Sequence, residues 1–251
     1  MSDPWSWAAL ALVLLLAAAY LRGFSRTSAE RRERASALLG LAALALSVSP
    51  PAHALAGDGL ETHMAQHVAL VIAAAPLLVL GRPLPVLLLG LPGWARAPLA
   101  GVANQLRRTL SPTGIWVVTL VHGAAFWLWH DPVLYDAAVR HGSLHALEHA
   151  TFVLTALVYW WTIVHAGDRG ERGYALAMIA SVATVIQGSV LGLLMLVAHA
   201  PWYSVYDRSS DALSQQQGAA ALMWGITGSV YMLATAVLLW RLLAHLDRRT
   251  A

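Results

Sequence analysis

Long apolar stretches separated by arginine-containing segments are the feature that most constrains the fold. Seven stretches are apolar enough to cross about 30 Å of hydrocarbon, which takes about 20 helical residues each. Backbone polar groups in lipid must be hydrogen-bonded within the chain, so stretches of this kind form helices. The predicted spans are 5–22, 35–52, 64–81, 113–130, 144–165, 174–198 and 216–241. The sequence therefore predicts an all-α membrane protein, a bundle of seven transmembrane helices in a single domain over residues 1–251.

The segment "RPLPVLLLGLP" follows the third predicted span and differs from the others. It is too short and too rich in proline to cross the hydrocarbon layer. We expect an interfacial or re-entrant piece at this point.

Composition agrees with a lipid environment and excludes several kinds of site. Hydrophobic residues make up 58% of the chain and charged residues only 12%. The chain has no cysteine, which excludes disulfides, thiolate metal sites and cysteine nucleophiles. All 16 basic Lys and Arg positions are arginines, and in a membrane protein such a balance indicates topology rather than nucleic-acid binding. A metal would have to be held by histidine, methionine or carboxylate.

The distribution of the arginines predicts the orientation. Fourteen lie after the first, third and fifth spans or at the C-terminal end, whereas only Arg140 and Arg208 lie on the opposite side. Cytoplasmic loops carry the excess of positive charge. The N-terminus is therefore expected outside and the C-terminus in the cytoplasm.

Histidines concentrate on the predicted outer side. Of the 11 in the chain, only His165 and His245 fall on the cytoplasmic side, and His122 lies deep in the fourth span. The outer histidines are His53, His63, His67, His130, His141, His145, His149 and His199. Polar groups inside apolar segments are costly unless partnered. Histidines there indicate either a functional site or hydrogen bonds between helices.

Spacing selects the strongest candidates. "HMAQH" places His63 and His67 four residues apart, and "HALEH" does the same for His145 and His149, so each pair shares one helical face and can chelate one metal. Glu148 follows His145 by three positions. It could be a ligand, an acceptor that orients an imidazole, or a general base.

A third pair, Met195 and His199, repeats the four-residue spacing near the outer end of the sixth span. A thioether favours Cu(I), while imidazole also suits Cu(II) and zinc. The candidate metal ligands are His63, His67, His122, His130, His145, Glu148, His149, Met195 and His199.

Structural roles are an alternative for several of these residues. The methionines are also compatible with packing, and Glu148 with simple pairing to a histidine. In "HDPVLYD", Asp131 predicts the N-cap of a short outer helix with Pro132 in its first turn, and Tyr135 suits the interface. Asp131 and Asp136 together could equally attract a cation. Pro76 predicts a kink in the third span.

Five segments carry a resemblance to a known family. They are "HMAQHVALVIAAAPLLVLGRPLPVLL", "WLWHDPVLYDAAVRHGSLHALEH", "YWWTIV", "AHAPWYSVYD" and "LSQQQGAAALMW". Over about residues 59–241 the chain resembles the multi-pass cytochrome c oxidase assembly factors of the CtaG type. The family's motif histidines correspond to His63, His67, His130, His145 and His149, with Glu148 beside them.

The resemblance implies a non-enzymatic protein of the bacterial inner membrane that helps deliver or insert copper into a heme–copper oxidase from the outer, periplasmic side. Its expected partners are oxidase subunits, membrane lipid and a periplasmic copper donor. Two alternatives remain open from the residues. Histidines on facing helices could be axial ligands of a heme. Three histidines with a water and a carboxylate base could also form a zinc-dependent intramembrane hydrolase.

Overall fold

The computed structural model describes residues 4–27, 30–109, 114–206 and 210–250, and every regular element in these ranges is helical. The α-helices of these residues, numbered in chain order, are α1 Pro4–Phe24, α2 Arg31–Val48, α3 Pro50–Gly57, α4 Leu60–Val68, α5 Ala75–Leu80, α6 Pro83–Gly90, α7 Gly93–Thr109, α8 Gly114–Trp129, α9 Pro132–Arg140, α10 Gly142–Val164, α11 Gly170–Leu196, α12 Ala212–Leu222 and α13 Gly228–Thr250. The all-α prediction is confirmed.

Five helices are long and apolar enough to cross a membrane, among the described residues. They are Pro4–Phe24, Leu60–Leu80, Gly142–Val164, Ala166–Leu196 and Ala212–Arg249. Each corresponds to one predicted span, with its ends shifted by between one and eight residues. These five spans are confirmed as helices of sufficient length and hydropathy.

The second predicted span, 35–52, is a broken helix. α2 and α3 meet at an angle of 50° and together pass the same test. Ser49 lies between them in an extended conformation because Pro50 follows it, and a residue before proline avoids the helical region. The bend turns α3, which carries His53, away from the direction of α2.

The fourth predicted span, 113–130, corresponds to the apolar helix α8, which has 16 residues. A full span takes about 20 residues. The described helices therefore provide five spans, or six with the bent pair, and the count of seven stays a prediction.

A π-helical segment, Ala69–Ala74, accommodates Pro76 within the Leu60–Leu80 helix. In a π-helix the N–H of residue i bonds to the carbonyl of residue i−5. Pro76 has no N–H, so the carbonyl of Val71 lacks its backbone donor. The indole Nε1 of Trp160 on α10 donates to that carbonyl over 2.9 Å. This bond replaces the missing backbone bond and ties the helix to α10.

The short segment 82–92 forms α6, which is only 8 residues long and packs against the C-terminal end of α1. A Cβ on Gly23 would collide with the carbonyl of Val86, and one on Gly90 with the carbonyl of Ala19. The two backbones therefore approach closely at these glycines. The following helix, α7, was not predicted from the sequence.

The predicted cap at Asp131 is confirmed. Its Oδ1 accepts hydrogen bonds from the backbone N–H groups of Val133 (3.0 Å) and Leu134 (3.2 Å), and Pro132 begins α9. Asp136 accepts from the backbone N–H of Ser204 over 3.1 Å, which holds the loop after α11 against α9. Both carboxylates therefore have structural partners.

Glutamines position α4, the helix that carries the first histidine pair. Gln215 accepts from the backbone N–H of Leu60 over 3.1 Å at the start of α4, and Gln66 donates to the carbonyl of Ser47 at the end of α2. The Leu60–Leu80 helix also packs along α10 through α5 and the π segment. These contacts fix α4 next to the N-terminal part of α10, where His145 lies beside His63.

Candidate metal centre

The two histidine pairs lie on helix faces that meet. Four-residue spacing places His63 and His67 on one face of α4, and His145 and His149 on one face of α10. One ligand atom from each of His63, His67, His145 and Glu148 can be chosen so that all four atoms lie within 4.8 Å of one another. All four side chains are buried. We call these four residues the His/Glu group.

The spacing of the imidazole nitrogens within the group suits a shared ion. Nε2 of His63 lies 3.2 Å from Nε2 of His67 and 3.1 Å from Nε2 of His145. Two nitrogens bound to one tetrahedral metal, at about 2.0–2.1 Å each, lie about 3.3–3.4 Å apart. The Nε2 atoms of His67 and His145 therefore each lie beside the same nitrogen of His63, at nearly the separations that two ligands of one ion have.

Glu148 is a buried carboxyl group that faces two imidazoles, and no arginine among the described residues pairs with it. It is 1% exposed, and its Oε1 and Oε2 lie 3.8 Å from His67 Nδ1 and 4.0 Å from His145 Nε2. Its Oε2 has no hydrogen-bond partner within the described part of the chain. Burying a carboxylate costs free energy unless an opposite charge accompanies it. A bound cation would supply that charge.

His149 lies beside the group but not within it. Its ring centre lies 4.2 Å from that of His145 and 5.0 Å from that of His67. Its Nε2 is buried and receives no hydrogen bond from any residue that the structure describes. The unpartnered nitrogen and the uncompensated carboxylate both fit a cation, and this mixture of imidazole and carboxylate suits copper or zinc.

His53 is a further residue of the site that sequence analysis did not select. Its Nε2 lies 3.0 Å from Nδ1 of His145, and the ring centres are 4.4 Å apart. It is half-buried on α3, at the edge of the group. His53 has no histidine partner four residues away, so spacing did not indicate it as a ligand. The only signal in the sequence was its position at the predicted outer end of a span.

His130 and His122 lie outside the His/Glu group. Nδ1 of His130 donates to the carbonyl of Phe126 over 2.7 Å. The two ring nitrogens of His122 hydrogen-bond to Thr155 and to Tyr231, each over 3.1 Å. His122 thus joins three helices by hydrogen bonds, α8, α10 and α13. This is the structural role that was the alternative to metal binding for a histidine in an apolar segment.

Met195 and His199 are not brought to the group either. α11 ends at Leu196, so His199 lies beyond the helix and is exposed, and the four-residue spacing does not create a shared face. Met195 is fully buried in a packing cluster, and its carbonyl accepts from Gln216 over 3.1 Å.

Tyrosines close the group on the side of α9. The ring of Tyr135 lies 5.2 Å from that of His63, and its hydroxyl lies 3.3 Å from that of Tyr206. Burial raises the pKa of the Tyr135 phenol well above its usual range, and the neighbouring Tyr206 adds to the shift. Tyr135 therefore remains a neutral side chain at physiological pH.

Comparison with known proteins identifies the family. No curated protein and no solved structure gives a match to the chain. The family model for the cytochrome c oxidase caa3 assembly factor matches residues 14–245 of 251, nearly the whole chain. It reaches further towards the N-terminus than the resemblance seen in the sequence and includes α2 and the C-terminal half of α1. The chain therefore belongs to the family of cytochrome c oxidase caa3 assembly factors.

Proposed function

We propose that the protein binds copper at the His/Glu group and passes it to a heme–copper oxidase during assembly. The observation that carries this proposal is the convergence of three imidazole nitrogens and one buried carboxylate from two helices. An assembly factor for an oxidase has a reason to hold copper, because the oxidase needs that metal. In this role copper is cargo, and the protein is not an enzyme.

The same proposal places the site on the outer side of the bacterial inner membrane. The arginine excess after the first, third and fifth predicted spans supports an outside N-terminus and a cytoplasmic C-terminus. We count seven spans by including the bent α2–α3 pair and the short α8. The His/Glu group then faces the periplasm, where a copper donor and the oxidase subunits would meet it.

Zinc-dependent hydrolysis is a second candidate, and one observation favours it. Glu148 lies about 4 Å from two of the three clustered imidazoles, at 3.8 Å and 4.0 Å. A carboxylate beside a metal held by three histidines can act as a base for a metal-bound water. Heme has less support. Two axial nitrogens on opposite sides of an iron, each about 2.0 Å from it, lie about 4 Å apart. The clustered nitrogens lie closer together, at 3.1 Å and 3.2 Å.

The test measures copper on the purified protein. The wild type is expected to bind copper, and a His63→Gln/His67→Gln variant is expected to lose most of it, because metal affinity requires several simultaneous ligands. Glutamine keeps the size and polarity of the side chain. A His165→Gln/His245→Gln variant is the matched control, since both residues lie away from the group.

Oxidase activity in cells completes the experiment. The His63/His67 variant should lower oxidase activity when copper is scarce, and the control should not. A wild-type protein that binds zinc but not copper, or a His63/His67 variant with full copper content, would contradict the proposal.

A further inference from the structure

A large cleft lies between α1, α2 and α10, and we call it the α1 cleft. Its volume is about 400 Å³, and buried side chains of α2, among them Leu41 and Leu44, form its floor. Protein interiors are closely packed, with few voids larger than a water molecule. A cleft of this size therefore requires an occupant.

The atoms that face the α1 cleft are almost all apolar. Aliphatic side chains from the three helices line it, such as Val13, Leu44 and Val153. Apolar cavities stay dry and accept apolar molecules, because a water inside would find no hydrogen-bond partners. The occupant is therefore an apolar molecule or chain, and neither water nor an ion fits the lining.

The α1 cleft opens sideways, towards the surroundings of the helices. Leu12 on α1 and Leu154 on α10 belong to its wall, and they are 58% and 62% exposed. Both helices are long and apolar enough to cross a membrane. The surroundings of such helices in a bilayer are the hydrocarbon chains of lipids. A lipid chain can therefore enter the cleft without leaving the hydrocarbon layer.

The length of the α1 cleft suits one chain from one leaflet. Along α1 its lining extends from Trp5 to Tyr20, which is about 22 Å of helix at about 1.5 Å per residue. This length is more than half of the roughly 30 Å hydrocarbon layer but less than the whole layer. A chain that belongs to one leaflet can fill the cleft, whereas a chain that crosses both leaflets would extend beyond it.

We propose that the α1 cleft binds one acyl chain of a membrane phospholipid. The cleft reaches the candidate metal centre, because His53 and His149 belong to its wall. Their ring centres lie 4.4 Å and 4.2 Å from that of His145. A bound chain covers these two histidines and keeps water away from that side of the His/Glu group.

Photolabelling of the full-length protein tests the proposal. The protein is reconstituted in vesicles of phosphatidylethanolamine and phosphatidylglycerol, with a trace of a phospholipid that carries a photoreactive group midway along one acyl chain. Peptide mass spectrometry then identifies the labelled residues. Leu41 and Leu44 are buried and line the cleft, whereas Leu46 on the same helix is exposed and lies outside it. We expect label on Leu41 and Leu44 as well as on Leu46.

A filled cleft should exclude the label. Ala9→Phe adds a ring at a position that lines the cleft, and Ala8→Phe adds the same ring at the adjacent, exposed position outside it. In Ala9→Phe we expect the label on Leu41 and Leu44 to be lost and that on Leu46 to remain. Ala8→Phe is the matched control and should be labelled as the wild type is. If Ala9→Phe does not fold, Ala150→Phe fills the cleft from α10 and provides the same test.

Three results would overturn the proposal. In the first, only Leu46 is labelled in the wild type, so no chain reaches the floor of the cleft. In the second, Ala9→Phe and Ala8→Phe are labelled alike. The third comes from lipid extraction of the protein purified in mild detergent, where we expect one retained phospholipid per chain. An isoprenoid quinone in that amount, with phospholipid absent, would mean that the cleft holds a different kind of chain. None of these measurements involves copper, so their failure would leave the proposed function standing.

Discussion

Nδ1 of His145 lies 3.0 Å from Nε2 of His53, while Nε2 of the same ring lies 3.1 Å from His63. Each nitrogen of His145 therefore faces a different histidine. If Nε2 of His145 binds an ion, its proton must reside on Nδ1, where it can be donated to His53. His53 would then hold the ring of a ligand in position without itself touching the metal.

Replacing His53 tests this positioning role. His53→Leu removes the acceptor, and we expect copper affinity to fall about 10- to 100-fold while the number of ions at saturation is unchanged. His53→Gln keeps an acceptor and should recover most of the affinity. Competition with a copper chelator measures both variants. Unchanged affinity in His53→Leu would contradict the role, and loss of an ion at saturation would make His53 a ligand instead.

The bond between Trp160 and the Val71 carbonyl predicts a stability effect that is separate from metal binding. Trp160→Phe leaves that carbonyl without its donor inside an apolar bundle, which costs about 1–3 kcal/mol. We expect a lower thermal unfolding midpoint in detergent and unchanged copper content.

Trp161→Phe is the control for this prediction. Trp161 is the adjacent tryptophan and stacks on His165, with ring centres 5.1 Å apart. The same indole N–H is lost there without affecting the π segment. Equal shifts in the two variants would show that the Val71 bond is not the cause.

Sequence spacing predicted the two histidine pairs because both members of each pair lie on one helix. His63 and His67 share a face of α4 whatever the neighbours of that helix are, and the same holds for His145 and His149 on α10. Their meeting could not be predicted, because it depends on which helices are adjacent. The Gln215 contact at the start of α4 is one determinant, and it joins residues 155 positions apart.

Residue spacing failed in two places, for different reasons: it did not indicate His53, and it wrongly paired Met195 with His199. His53 approaches His145 only because α3 bends by 50° away from α2. Met195 and His199 have the right interval, but α11 ends between them, and helix ends are the least certain part of a sequence-based prediction. A periodic pattern is informative only while the helix continues.

Topology is tested most sharply around α8. Under the proposed arrangement, a reporter fused after Arg107 is cytoplasmic and one fused after Asp136 is external, since α8 lies between them. A fusion after Asp58 should also be external. If the reporters after Arg107 and Asp136 lie on the same side, the 16-residue helix does not cross the membrane. The proposed count of seven spans would then be wrong.

Replacing Glu148 distinguishes a copper carrier from a zinc-dependent hydrolase. Glu148→Gln keeps the shape of the side chain but removes the buried negative charge that faces His67 and His145. In a carrier, that charge compensates the bound cation. Its loss should weaken copper binding about 10- to 100-fold, as is typical when a group that supports metal ligands is changed. In a hydrolase, the carboxylate takes the proton of a metal-bound water, so the variant should lose turnover and keep its metal.

We expect the carrier outcome in cells that contain Glu148→Gln as their only copy. Oxidase activity should be lost at low copper and should recover when copper is supplied in excess, because excess ion offsets weaker binding by mass action. A strain with His165→Gln, far from the group, should follow the wild type across the same copper series. Copper bound by the purified variant is measured in parallel. If activity stays lost at every copper level while the variant binds copper as tightly as the wild type, Glu148 has a role other than holding the cargo and the carrier mechanism fails.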